Sequence, residues 1–288
     1  MKTNNLAGFL FISPWIIGFL LFTGGPVLYS FAISAFQWDL MTTPTFIGFD
    51  NYKALLKDPL FFQSVKVTLI YTLTSVPLQL IVALFAALLI NQKRKGVNIF
   101  RTFLYLPTVI SGIAVAMIWS WIYNPQFGLF NEILSWFGIA GPDWIYDENW
   151  SLPALVLMSL WSFGGPMVIF LAGLQDIPEY LYEAAELDGA SRARKLWHVT
   201  LPMVSPVILF NAVMGVVGSF QVFTQAFVMT KGGPNNSTLF LVMYIYQNGF
   251  QYFKMGYASA LSVVLFIIVL LLTILQFKLA SRLVHYDK

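Results

Sequence analysis

The stretch Glu183-Ala184-Ala185-Glu186-Leu187-Asp188-Gly189, followed after a basic segment by Val199-Thr200-Leu201-Pro202, lies between two long apolar runs. Three residues separate Ala185 from Gly189, and nine separate Gly189 from Val199. A polar island of this length between apolar runs is a short structure at a membrane surface. Asp176 and Pro178 suit a helix start, with acidic residues in the first turns complementing the helix dipole. The spacing predicts a helix over Glu179–Leu187, a left-handed stop at Gly189 and a second helix over Ala190–Val199 that exposes Arg192, Arg194 and Lys195. Pro202 then starts the next apolar helix, where its missing N–H costs nothing. The alanines present a small face on which another protein can seat closely, so the loop reads as a part that passes on a push.

Outward from this loop the 288-residue chain is 58% hydrophobic and 10% charged, with mean hydropathy +0.73. Soluble domains carry about 25% charge. Uncharged stretches run Thr3–Trp38, Val67–Gln92, Thr102–Asn131, Asn149–Gln175, Leu196–Thr230 and Met255–Phe277. About 20 apolar residues cross a hydrocarbon core, so each stretch can hold a span. The expected fold is an all-α, polytopic membrane protein with spans at Phe9–Phe31, Val67–Ile90, Phe103–Ile122, Leu152–Leu174, Met203–Met229 and Tyr257–Phe277. A first helix and external loop occupy 1–66, and a five-helix core occupies 67–288 and carries the cytoplasmic loop 176–202. Gly232–Phe253 is also uncharged, but its apolar centre, Leu239–Tyr246, is too short to span and reads as interfacial or re-entrant. The first apolar run outlasts a signal-peptide h-region and no small-x-small site closes it, so it reads as a retained helix.

Eleven of the sixteen Lys and Arg residues fall on one side if the amino terminus is inside: Lys2, Lys93, Arg94, Lys95, Arg101, Arg192, Arg194, Lys195, Lys278, Arg282 and Lys288. The positive-inside rule then puts both termini in the cytoplasm. Orientation accounts for the basic excess without any nucleic acid. Trp136, Trp144 and Trp150, in the outer loop Tyr123–Trp150, read as interfacial anchors. There is no cysteine, which excludes disulfides and thiol chemistry. No Gly-x-x-x-x-Gly-Lys-Ser/Thr stretch is present to cradle ATP phosphates, and no His-Glu-x-x-His to hold a metal. The two histidines, His198 and His285, read as loop and tail residues. No acid–base or nucleophilic constellation assembles, so the chain reads as no enzyme by itself.

The loop resembles the signature of the membrane subunits of bacterial ATP-binding-cassette (ABC) importers: Glu-Ala-Ala, three residues, Gly, nine residues, Ile-x-Leu-Pro. The residues here are Glu183, Ala184, Ala185, Gly189, Val199, Leu201 and Pro202, with valine for isoleucine the one departure. Ile47–Leu56 (IGFDNYKALL), Trp161–Pro166 (WSFGGP) and Thr230–Thr238 (TKGGPNNST) look like the carbohydrate branch, and are similar to the first of the two unlike maltose-type permeases. The resemblance covers the chain from about residue 10 onward. It implies a type I importer permease in a bacterial or archaeal cytoplasmic membrane, paired with a second homologous permease. It also implies an extracytoplasmic solute-binding protein and two copies of a cytoplasmic ATPase. No cofactor is implied for this chain; ATP and Mg would bind the ATPase. Glu183, Ala184, Ala185, Asp188, Gly189, Ala190, Leu201 and Pro202 would form the coupling loop.

Intramembrane charge usually marks ion pathways. The expected span interiors have none, which disfavours a secondary transporter. Met158, Trp161, Ser162 and Gly165 share one face of the fourth span at i, i+3, i+4 and i+7; Asn211, Gly215, Gly218 and Ser219 share one face of the fifth. In related sugar permeases these helices line the central cavity, which places the substrate path on these faces. Aromatic planes with hydroxyl and amide partners suit a sugar ring. The same small residues equally serve close helix packing. The same machine could instead carry glycerol phosphate or a polyol, although a phosphate favours an Arg or Lys nearby.

Overall fold

The computed structural model describes residues 5–92 and 96–280, and nearly all ordered structure is helical. Lys2, Lys93, Arg94, Lys95, Arg282, His285 and Lys288 lie outside the described residues. Four helices are long and apolar enough to cross a membrane: Phe9–Ile33, Pro59–Ile90, Arg192–Ser219 and Met255–Ala280. Two bent pairs, Val97–Val109 with Gly112–Ile122 and Ser151–Ser162 with Gly164–Gln175, bring the number to six if each pair is one span.

The bends correct the expected third and fourth spans. The first pair turns by 96° and the second by 47°. In the first, Pro107 sits in a tight 3-10 turn, after which Ile110 and Ser111 adopt extended backbone. In the second, a 3-10 turn at Leu160–Ser162 precedes Gly164. Gly164 is buried, and a Cβ there would lie 2.6 Å from the Leu104 carbonyl oxygen. Only glycine lets the two bends approach this closely. Hydropathy is blind to such breaks, because the residues on both sides are equally apolar.

The expected helix Ala190–Val199 and the fifth span are instead one helix, starting at Arg192 and ending at Phe220 rather than Met229. Pro202 does not start it. A π-turn at Leu196–Thr200, closed by the Leu201 N–H on the Leu196 carbonyl, widens the helix just ahead of the proline ring. The wider turn removes the clash with the preceding carbonyl that breaks an ordinary helix. The first span repeats the device, with a π-turn at Leu20–Gly24 before Pro26. The second span begins at Pro59, earlier than expected, where the Asp58 carboxylate accepts the Leu60 N–H at 2.9 Å.

The chain forms two compact units. The first comprises residues up to Phe61 together with Tyr244–Ile267. Here a two-residue antiparallel ribbon pairs Phe36 with Phe46 and Gln37 with Thr45. The motif around Asn51 secures it. The Asn51 amide donates to the Ser34 and Phe36 carbonyls at 2.8 and 2.9 Å, and the Tyr52 hydroxyl meets that of Ser34 at 2.7 Å. Tyr244 and Tyr257 both donate hydroxyls to the Asp58 carboxylate, Tyr257 at 2.5 Å.

The second unit is Phe62–Met243 with the segment from Ile268 onward. Its core sets Ala83, Ala86, Ala87 and Ile90 against Met167, Phe170, Leu171 and Leu174, each set at i, i+3, i+4, i+7. The small alanine face lets the large side chains seat deeply. The loop after Thr230 is stapled by three contacts: Asn235 to Glu148 at 3.0 Å, Ser237 to Ser151 at 2.7 Å and Gln63 to the Asn236 carbonyl at 3.3 Å. Beyond it, Leu239, Phe240, Leu241 and Met243 are buried, and the helix Leu241–Tyr246 is too short to span. Burial inside protein fits the re-entrant expectation better than the interfacial one.

Trp144 and Trp150 are not simple membrane anchors. Trp119, Tyr123, Phe130, Trp144 and Trp150 form a chain of ring contacts 5.2–5.9 Å apart. The Trp144 indole N–H donates to Asn131 at 2.7 Å, and the Asn131 amide ties down the Pro125 and Pro142 carbonyls. Trp136 stays exposed, as an anchor would.

Candidate functional site

Within the second unit a cavity of about 740 Å³ opens between the Pro59–Ile90 helix, the two bent pairs and the Arg192–Ser219 helix. Met158, Ser162, Gly165, Asn211, Gly215, Gly218 and Ser219 all line it. Trp161 does not; its exposed ring packs edge-on against Trp119 at 6.0 Å. Among the described residues, no Asp, Glu, Lys, Arg or His lines the cavity.

The lining residues divide by what they touch. A Cβ on Gly215 would meet Val76 Cγ1 at 2.9 Å, so this glycine is a packing position as well as a wall. Gly165 and Gly218 face open space. The Ser219 hydroxyl donates to the Val216 carbonyl at 2.8 Å and meets the Thr72 hydroxyl at 2.9 Å, so its bonding capacity is taken by protein. Ser162 is exposed to the cavity. Asn211 is buried, and its amide nitrogen has no hydrogen-bond partner among the described residues. Such a donor leaves roughly 1–3 kcal/mol of desolvation cost uncompensated until something supplies an acceptor.

Sequence reasoning missed one wall. Tyr71, Ser75 and Gln79 line the cavity from the Pro59–Ile90 helix. Their i, i+4, i+8 spacing, polar residues on one stripe of an apolar helix, was the available signal. Gln225, beyond the end of the Arg192–Ser219 helix, adds another amide.

The loop from Gln175 to Pro202 folds much as its spacing indicates. Glu179–Leu187 is helical, and Gly189 has φ 72°. The Ala190 N–H bonds the Ala185 carbonyl at 2.9 Å and the Gly189 N–H bonds that of Glu186 at 3.0 Å, a paired closure that needs a left-handed residue at Gly189. Ser191 caps the next helix by accepting from the Arg194 N–H at 3.3 Å. Two contacts hold the arms together: Lys195 to Glu186 at 2.5 Å and Tyr182 to Thr200 at 3.0 Å. The hydrogen bond from Lys195 holds the Glu186 carboxyl below the usual carboxylate range. Glu183, Ala184, Asp188 and Gly189 are exposed, Ala185, Ala190, Leu201 and Pro202 half-buried. Leu187 is 90% exposed at the tip, with Tyr180 and Trp197 exposed beside it. The hairpin thus offers apolar and small residues to solvent.

A helical membrane protein with an uncharged polar cavity has the build of a permease. Over residues 79–285 the chain matches the family described as binding-protein-dependent transport system inner membrane component, and it belongs to that family. It is 44% identical to the probable ABC transporter permease protein YesP of Bacillus subtilis (strain 168), over 100% of this chain and 94% of that one. It is 35% identical to the arabinooligosaccharides transport system permease protein AraP of the same strain, over 97% of this chain and 90% of the relative. The crystal structure of a bacterial ABC transporter involved in the import of the acidic polysaccharide alginate superposes with TM-score 0.84 at 24% identity. That match covers 98% of this chain and 97% of the other and shows the fold, that of a type I importer permease. The chain is thus the membrane permease of an ABC importer that works with a solute-binding protein. It is not itself an enzyme, since ATP hydrolysis in such importers belongs to a separate ATPase.

Proposed function

We propose that the chain is one of two unlike permeases of a cytoplasmic-membrane importer that carries a neutral carbohydrate inward, both termini facing the cytoplasm. The lining of the 740 Å³ cavity carries this reading, since hydroxyls, amides and aromatic rings with no formal charge match a sugar's polar edges and apolar faces. The arabinooligosaccharide relative adds support. Ser162, Asn211, Gly165 and Gly218 meet the solute; Met158, Gly215 and Ser219 shape the wall; Trp161 stands outside the lining. The core, 67–288, carries the route, in keeping with a family match that begins at residue 79, and 1–66 is a separate N-terminal helix and external loop.

The loop Glu183–Pro202 docks into one of two ATPase subunits, which bind ATP and Mg. Glu183, Ala184, Ala185, Asp188, Gly189 and Ala190 form the seated surface, and Leu201 and Pro202 lead into the helix. The second homologous permease completes the cavity. The test is capture of the solute-binding protein from membranes expressing the importer, calorimetry of its ligand, and uptake of that ligand in reconstituted vesicles. A neutral sugar taken up with ATP hydrolysis is expected. A phosphate ester as the carried ligand would overturn the carbohydrate assignment and leave the permease assignment intact.

A further inference from the structure

Two cavities outside the transport route meet at Val97, and their linings differ in kind. One, about 640 Å³, sets Asn91, Gln92, Asn98, Arg101 and Glu179 beside Leu174 and Ile177 on its walls. The other, about 490 Å³, is walled only by apolar side chains, among them Phe85, Leu89, Phe100, Leu104 and Phe163. Val97 lines both. On the Val97–Tyr105 helix, Val97, Phe100 and Leu104 form one stripe at i, i+3, i+7, with Arg101 beside it. A pocket with charged and amide groups and a wholly apolar one therefore adjoin along a single short helix.

Arg101 is unfinished. Its Nη2 donates to the Ile90 carbonyl at 3.5 Å, while its Nε is buried with no partner among the described residues. A buried guanidinium N–H calls for an acceptor, and phosphate oxygens take Arg donors in pairs. The connection 91–101 carries four basic residues and no acidic one. The Asn98 amide lines the same cavity, as does the Glu179 carboxylate, the one acidic side chain on its wall among the described residues. Neither a sugar nor a free ion has use for the adjoining groove, where Phe85, Leu89 and Phe100 stay more than half exposed. We propose that this composite site holds an anionic glycerophospholipid of the inner leaflet, its phosphate on Arg101 and one acyl chain along Phe100 and Leu104. Basic pockets between cytoplasmic helix ends hold anionic headgroups in this manner. The proposal rests on the inward orientation of the 91–101 connection proposed above.

The test uses the full chain, purified from its membrane with its accompanying subunits and equilibrated with mixed phosphatidylglycerol and phosphatidylcholine. Lipid retained per complex is counted by native mass spectrometry. Wild type should retain phosphatidylglycerol in preference to phosphatidylcholine. Arg101→Gln should lower retention at least fivefold, and Arg101→Lys should recover part of it. Leu104→Trp, which fills the groove and leaves Arg101 in place, should also release the lipid. Equal retention by wild type and Arg101→Gln, or of the two lipids by wild type, would overturn the proposal. So would loss in Arg101→Gln with full retention in Leu104→Trp, which describes an anion site without a chain. Orientation is read separately: the chain has no cysteine, so Asn98→Cys reports by itself whether an impermeant maleimide reaches it only from the cytoplasmic side. Labelling from outside would refute the orientation without altering the retention result.

Discussion

Thr72 and Ser219, 147 positions apart, share a hydroxyl–hydroxyl hydrogen bond of 2.9 Å that ties the Pro59–Ile90 helix to the cavity end of the Arg192–Ser219 helix. With the Ser219 hydrogen on the Val216 carbonyl, the hydrogen between the two hydroxyls is that of Thr72, whose other acceptor is the Thr68 carbonyl. Interhelical bonds of this kind average about 0.6 kcal/mol in membrane proteins. Ser219→Ala should therefore cost about that much and leave uptake near wild type. Ser162→Leu should cut uptake without loss of stability, because Ser162 meets cavity and not protein. Thermal unfolding of the purified complex and vesicle uptake separate the two. Lost transport in a stable Ser219→Ala would show that its hydroxyl meets solute directly.

Asn211 gives the opposite sign. Its unpaired amide is buried against the cavity. Replacing an unsatisfied buried donor with an apolar isostere removes a cost of roughly 1–3 kcal/mol. Asn211→Leu should raise the unfolding temperature or leave it unchanged while lowering uptake at least tenfold. A variant that loses stability and keeps transport would place Asn211 in the packing and not on the route.

At Gly189 the strain is entirely backbone, because a Cβ there meets nothing within 4 Å. A β-branched residue at φ 72° costs about 1–2 kcal/mol, and asparagine costs less. Gly189→Val should reduce ATPase co-purification more than Gly189→Asn, with pairing of the two permeases unaffected. Glu183→Lys, which changes charge on an exposed residue and not shape, should weaken recruitment without altering the loop's fold. Wild-type ATPase content in all three would refute the coupling role.

Burial pushes the Asp58 carboxyl up, but the hydroxyls of Tyr244 and Tyr257 and the Leu60 and Phe61 amides outweigh it, leaving Asp58 below its ordinary 3.8. A folded-state value lower than the unfolded one means stability present above 3.8 and lost as the pH falls through the depressed value. Unfolding temperature should be flat from about pH 8 to 5 for this group and fall only in stronger acid. Asp58→Asn should flatten that acid limb. An unchanged limb would assign the acid loss to other carboxylates.

Reporter fusions after Arg101 and Arg192 should read cytoplasmic, and fusions near Asp143 and Pro234 external. The basic asymmetry between the two sides predicts it. A reversed pattern would remove the loop from the ATPase side altogether.

The polar loop was readable because helix stops, glycine conformation and caps are local chemistry: Gly189 and Ser191 decide its shape within a few residues. The bends at Ile110–Ser111 and Gly164 were not, since they follow from the packing of one apolar segment on another. Proline misled in one place. Pro202 marks a helix start by local rules, yet the π-turn before it carries the helix through. Half of the cavity was legible from small and polar residues on two spans. The wall of Tyr71, Ser75 and Gln79 escaped, because three polar residues in a long apolar helix draw attention only when their periodicity is counted.

Because that π-turn joins what would otherwise be two helices, the docking hairpin and the cavity wall share one beam. The 28 residues of Arg192–Ser219, at about 1.5 Å per residue, make a lever roughly 42 Å long. Its near end carries Arg192 and Trp197; its far end carries Asn211, Gly215, Gly218 and Ser219. A tilt of about 5° at the hairpin sweeps the far end through roughly 4 Å, more than the width of a water molecule. On the proposed coupling, a small rotation in the docked ATPase is carried along this helix to the cavity wall, with the π-turn and Pro206 the two places where it can bend.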